Sequence, residues 1–244
     1  MTAESTEGII DSYAPGSATP RSRRGAGRFA ELPIAWAAFE FAAARHAGQY
    51  REIDHAPFIA HPVEVGQLLD CDGHPDEVIA AGLLHDLLEK TGTTSAELQR
   101  RFGTRIARLV ESVTDDPSID AYKSRKRELR DRVAHARPDT LAIFAADKIS
   151  KVRELALLPA SHLREPETVA KLAHYRASLT MLQQVARDLT LVDVLATELN
   201  HLLTPAVTRN RGDGATQGIT RANRRKPQTR TTSARGPGQP CGGA

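Results

Sequence analysis

Ala80-Ala81-Gly82-Leu83-Leu84-His85-Asp86-Leu87-Leu88-Glu89 constrains the chain more than any other stretch of its 244 residues. Apolar residues fall on nearly every side of a helix drawn through it, so the segment belongs inside a core. It nevertheless carries an imidazole and a carboxylate at adjacent positions. A buried carboxylate costs several kcal/mol, on the order of a lost ion pair, unless it is paired or bound to a metal. Neighbouring helical residues point about 100° apart and do not face each other. A divalent cation seated against the helix satisfies both groups, because neutral imidazole and carboxylate are good ligands for Zn²⁺, Mn²⁺ or Fe²⁺. Taken alone, the dipeptide fits equally well a core histidine and aspartate bonded to neighbouring backbone.

The rest of the sequence points to an all-α fold, a single helical bundle between two tails. Apolar residues make up 40% and aromatic ones 5%, and in the middle of the chain Ala and Leu dominate over Val and Ile, which favours helix. Three regions are expected: a disordered segment over 1–30, a helical domain over 31–204 and a disordered basic tail over 205–244. No run of about 18 uncharged apolar residues occurs, so a cytoplasmic protein with no membrane contact is expected. The net charge of +3 divides unevenly. Residues after Pro205 hold eight basic side chains against the one acid Asp213, +7, which leaves −4 for the remainder. That mildly acidic body argues against a nucleic-acid groove in the folded part and assigns any such binding to the tail.

Along the chain, a strongly apolar helix is expected over Leu32 to His46, ended by Ala47-Gly48. A loop through Arg51, Asp54, His55 and Pro57 follows, and His61-Pro62 opens a second helix, with Pro suited to the first turn. A third helix begins near Pro75 and runs through His85-Asp86 to the break at Thr91–Thr94, where Thr94 or Ser95 caps the next. Gly103 separates that short helix from another carrying Ile106 to Val113. Tyr122 to Arg137 is charge-rich, which predicts a surface segment with its charges exposed. Pro138-Asp139 opens a helix whose apolar run Leu141 to Ala146 leads into Asp147, again an acid at the end of a buried stretch. Two amphipathic helices, Pro166 to Arg187 and Leu189 to Leu203, complete the bundle. The remaining histidines, including His174, read as ordinary surface or interface residues.

His61, His85, Asp86 and Asp147 thus offer two imidazoles and two carboxylates from three helices, a donor set that leaves a five- or six-coordinate ion room for water and substrate. In this order they resemble the HD-domain metal-dependent phosphohydrolases. The text from His46 to Arg153 is similar, more closely, to the hydrolase domain of the RelA/SpoT-type alarmone enzymes, which remove pyrophosphate from (p)ppGpp. The matching stretches are His46 to Arg51, Pro57 to Pro62, Ala80 to Glu89, Phe102-Gly103, Val110 to Thr114 and Ala145 to Lys148, somewhat under half the chain.

The resemblance implies one divalent ion of the Mn²⁺ type held by His61, His85, Asp86 and Asp147, lowering the pKa of a bound water and polarising a phosphoryl oxygen. It also implies Glu89, the first acid of the family's Glu-Asp pair, as the base. Two departures stand out. Lys90 occupies the place of the pair's second acid, and Lys151 replaces the asparagine of the family's Asp-x-x-x-Asn-x-Arg pattern, in which Arg153 keeps its place. The loop between Arg51 and His61 is one residue longer than usual.

Lys90, Lys148, Lys151 and Arg153 set cations around the site, and with Arg51 they are the expected contacts of a small phosphorylated, nucleotide-like ligand. The alternative is a regulatory module that keeps metal and nucleotide binding while Lys90 weakens the chemistry. Nothing after Pro159 resembles the synthetase half of the bifunctional enzymes.

Overall fold

The computed structural model describes residues 31–204; the expected disorder of 1–30 and 205–244 falls outside the described residues. The described part is all-α. Its helices are α1 (Pro33–Arg45), α2 (Ala60–Cys71), α3 (Asp76–Leu84), α4 (Leu87–Lys90), α5 (Ser95–Val113), α6 (Tyr122–Val133), α7 (Pro138–Leu155), α8 (Pro166–Val185) and α9 (Thr190–Leu203), with a 3₁₀ turn at His162–Arg164. An isolated antiparallel bridge, Tyr50 with Pro57, is the sole extended pairing among the described residues.

Two helices form the centre. Every residue of α3 from Val78 to Leu84 is buried, as its all-round apolar sequence predicts, and so is the run Thr140 to Ala146 of α7. Helix α3 packs against α1, α2 and α5, while α7 packs against α2, α8 and α9. The crossing of α2 and α3 is close. A Cβ placed on Gly82 would lie 2.4 Å from Leu69 Cδ1 and 3.3 Å from Val65 Cγ1, so only glycine lets the two backbones approach this far.

The helix ends follow local chemistry. Pro occupies the first turn of α1, α7 and α8. Helix α1 has no capping side chain of its own. Asp76, in the first turn of α3, accepts its free Ile34 and Ala35 N–H groups at 3.0 and 2.6 Å, which locks α1 to α3. Thr94 caps α5 by accepting from Glu97 N at 3.2 Å, and Gly103, at φ 86°, kinks that helix where the sequence places a break.

Two expectations are corrected. The helix expected to pass through His85-Asp86 stops at Leu84 and restarts at Leu87, with Asp86 at φ −88°, ψ −7° between them. Helix α6 is not uniformly solvated either. Leu129 and Val133 are buried, Lys126 Nζ and Arg125 Nε reach Asp115 Oδ2 at 2.7 and 3.1 Å, and Arg130 Nη1 donates to His174 Nδ1 at 2.6 Å. Arg125, Lys126 and Arg130 turn toward Asp115 and His174, while Lys123, Arg127, Asp131 and Arg132 are exposed as expected.

Candidate metal centre

Three helices meet at the pair. His61 comes from the first turn of α2, His85 and Asp86 from the break between α3 and α4, and Asp147 from the middle of α7. His61, His85 and Asp86 each bring a ligand atom to within 4.8 Å of the others, all from buried residues. His61 Nε2 lies 3.2 Å from His85 Nε2. Asp147 Oδ1 lies 3.3 Å from the first and 3.6 Å from the second of these nitrogens. Asp86 spans the same two, with Oδ2 3.5 Å from His61 Nε2 and Oδ1 3.6 Å from His85 Nε2. All four residues read from the sequence therefore converge on one point. His85 and Asp86 keep near-helical dihedrals across the break, so their side chains diverge from the backbone and meet at the His61 imidazole from two sides.

The backing of each imidazole decides which nitrogen faces that point. Ser150 Oγ donates to Glu64 Oε2 at 2.6 Å, so it can only accept from His61 Nδ1 at 2.8 Å; Nδ1 carries the proton and Nε2 presents a lone pair. His85 Nδ1 faces the carbonyl of Gly82 at 2.7 Å, which fixes the same tautomer. Two buried lone pairs 3.2 Å apart repel unless a positive charge lies between them. Asp86 Oδ2 and Asp147 Oδ1 are buried and have no hydrogen-bond partner. Two imidazole nitrogens and two orphaned carboxylate oxygens, all aimed at one place, fit a divalent ion of N/O preference.

The electrostatics differ between the two imidazoles. Burial, with help from the Lys151 ammonium, pulls the pKa of His61 down to about 3, so that imidazole stays neutral. Burial also opposes charge on His85, but the Asp86 and Asp147 carboxylates outweigh it and raise its pKa. Asp86 and Asp147 resist burial's upward push. His85 and Lys151 hold Asp86 below the ordinary carboxylate range, and Lys148 with the two imidazoles does so for Asp147.

Other residues singled out in the sequence fall in different places. Glu89, at the rim, accepts from Asp115 N through Oε1 at 2.6 Å, and the crowding around its carboxyl, chiefly desolvation, raises its pKa. Lys90 is exposed, with its Nζ 5.1 Å above the centre of the Phe58 ring. Lys151 reaches the cluster: its Nζ lies 3.8 Å from Asp86 Oδ2 and 5.5 Å from the same ring centre. Three cations are occupied within the protein instead. Buried Lys148 is paired with Asp147 and stacked 4.4 Å over Phe144. Arg153 is held by Glu64 at 3.0 Å and Glu198 at 2.8 Å, and Arg51 grips Asp54 within its own loop.

Sequence reasoning missed Ser150 and Glu64, the relay behind His61. Their signal was slight: Ser150 lies three residues after Asp147 and Glu64 three after His61, polar positions on otherwise apolar helix faces. It also misplaced His174, which is 5% exposed and packed against Phe144 and Tyr175.

An HD domain family model matches residues 38–202. The chain belongs to the HD domain family. Among proteins similar to this HD domain is the guanosine-3′,5′-bis(diphosphate) 3′-pyrophosphohydrolase MESH1 of Danio rerio, 37% identical over 118 residues, which are 47% of this chain and 65% of that protein. The same-named protein of Homo sapiens is 36% identical over 121 residues, 48% of this chain and 67% of its own length. The matched segment thus spans about two thirds of these relatives. The solved structure of a metazoan ortholog of SpoT superposes with a TM-score of 0.58 at 23% identity, over 69% of this chain and 93% of that one, which shows a shared fold.

Proposed function

We propose that this HD domain, carried by residues 31–204, is a cytoplasmic Mn²⁺-dependent phosphohydrolase that removes pyrophosphate from a (p)ppGpp-like nucleotide. The observation that carries the reading is the pair of inward-facing Nε2 lone pairs set against the two orphaned oxygens of Asp86 and Asp147 in the core. The names of the similar proteins from Danio rerio and Homo sapiens support the substrate class.

His61, His85, Asp86 and Asp147 would hold the ion. When bound, it supplies Lewis acidity to a phosphoryl oxygen and to water. Glu89 takes the proton of the attacking water. Its Oε1 is anchored by Asp115 N, which fixes the carboxylate, and its raised pKa makes it a stronger base than an ordinary glutamate. The water oxygen bonds to the phosphorus attached to the ribose 3′-oxygen, the bond to that oxygen breaks, and the 3′-oxygen leaves with a proton as the hydroxyl. Lys148 and Arg153 act from behind, the first holding Oδ2 of Asp147 and the second closing the relay through Glu64 and Ser150 to His61.

Purified chain incubated with Mn²⁺ and a nucleotide panel is expected to release pyrophosphate from ppGpp, while Asp86→Ala loses both bound metal and turnover. A metal-loaded protein inert toward every nucleotide would sink the reading. The exposed cation of Lys90 favours a second one, a nucleotide-binding module with slowed chemistry. A large gain in hydrolysis by Lys90→Asp decides for it.

A further inference from the structure

Phe58 occupies an unusual place in the fold. Its ring packs against His46 at 4.8 Å and meets the edge of His61 at 5.9 Å, so it forms a wall beside the metal-ligand cluster. The wall is braced by one residue. The Gln49 side chain accepts from His46 Nδ1 at 2.8 Å through Oε1 and donates to the Lys90 carbonyl at 2.9 Å through Nε2, and the Gln49 backbone carbonyl accepts from Phe58 N at 2.9 Å. The end of α4 is thereby tied to the Phe58 loop, which holds the Lys90 backbone beside the ring.

Two ammonium groups share that ring, Lys90 at 5.1 Å and Lys151 at 5.5 Å from its centre. Lys90 has no carboxylate partner among the described residues. Lys151 has only Asp86, at 3.8 Å, beyond hydrogen-bond length. The face of an aromatic ring attracts cations but does not neutralise them. An anion within reach of both ammonium groups would. The two lysines are also the two replacements that the sequence analysis singled out, and both stand beside the same ring.

We propose that Lys90 and Lys151, mounted on Phe58, form a clamp for a phosphate or diphosphate group of the substrate beside the metal-ligand cluster. The assignment rests on the phosphohydrolase reading for its ligand but is read out separately from it. Oxyanions accept charge-assisted bonds from two ammonium groups in this manner, and Lys151 would exchange its long contact to Asp86 for a short one to the anion.

The test uses the full chain stripped of metal by chelator, titrated with inorganic pyrophosphate by calorimetry at low salt. Lys90→Gln and Lys151→Gln are each expected to weaken binding about tenfold, and Lys90→Arg to restore most of it. Lys151→Gln is further expected to bind Mn²⁺ several-fold more tightly, because a cation leaves the neighbourhood of Asp86. A structural role for either lysine would move the melting temperature and leave both affinities alone. Pyrophosphate affinity unchanged within twofold in the double variant, or absent from the parent protein, overturns the clamp. Turnover of ppGpp with unchanged KM in the variants also overturns it while sparing the hydrolase. The converse result, pyrophosphate binding lost in the variants of a protein that binds Mn²⁺ yet hydrolyses nothing, keeps the clamp and removes the enzyme.

Discussion

Ser150 shows how much of the site depends on groups that never touch its centre. By donating to Glu64 it compels His61 to keep its proton on Nδ1, and so aims Nε2 inward. Ser150→Ala is expected to weaken Mn²⁺ affinity by about 10–100-fold, measured by competition with a chelating dye, with little change in helix content. His174 makes the second point at this scale. Burial, then the nearby Lys148, Lys126 and Arg130, holds its pKa down to about 2, so it stays neutral in the fold. The unfolded chain takes up the proton below the ordinary value of about 6.5, which means that this contribution to stability is intact above that pH and is lost as the pH falls. From pH 6.5 to 5 the loss is about 2 kcal/mol, and His174→Gln should flatten that part of a chemical-denaturation profile. His85, Asp86 and Asp147 were legible in the sequence because polar groups inside or at the end of an apolar run are conspicuous, whereas His61 and the set as a whole came through the family resemblance. Ser150, Glu64 and His174 were not legible, since their partners lie 86, 89 and 44 residues away and no local pattern marks them.

Among the elements, α3 was read correctly as buried on all sides, and its end was not. Local propensity favours continuing the helix through His85, and His85 and Asp86 do keep near-helical dihedrals, so the interruption between Leu84 and Leu87 is slight and no breaker residue in the sequence announces it. The crossing with α2 is the sensitive place. Gly82→Ala puts a methyl 2.4 Å from Leu69 Cδ1 in a filled core, which is expected to cost about 1–3 kcal/mol in thermal unfolding. Because the Gly82 carbonyl also orients His85, the same change should lower metal affinity, a coupling that a purely structural glycine would lack. Helix α6 was misjudged for the opposite reason. Its charge density resembles a solvated face, yet Lys126 and Arg125 serve the carboxylate of Asp115.

For the molecule as a whole, side chains from α2, the α3–α4 break and α7 bind one point, so a ligand there ties together elements distant in sequence. Free Mn²⁺ at a hundred times its dissociation constant is expected to add about 2.7 kcal/mol to stability, seen as a rise in melting temperature that chelator reverses. The charge of +7 beyond Pro205 lies outside the described residues. Deleting residues 205–244 should leave metal content and melting temperature unchanged and remove any salt-sensitive adhesion to polyanions, checked by retention on a heparin column at graded salt. There is finally a division of labour in the break at His85-Asp86. Its flanks, Leu84 and Leu87, are fully enclosed, whereas Glu89 and Lys90, only a few residues on, meet solvent. The ligand floor is held by the packed core and Glu89 by its bond from Asp115 N, whereas Lys90 is exposed and a change there disturbs no buried packing, so a lineage could exchange one phosphorylated metabolite for another at that position.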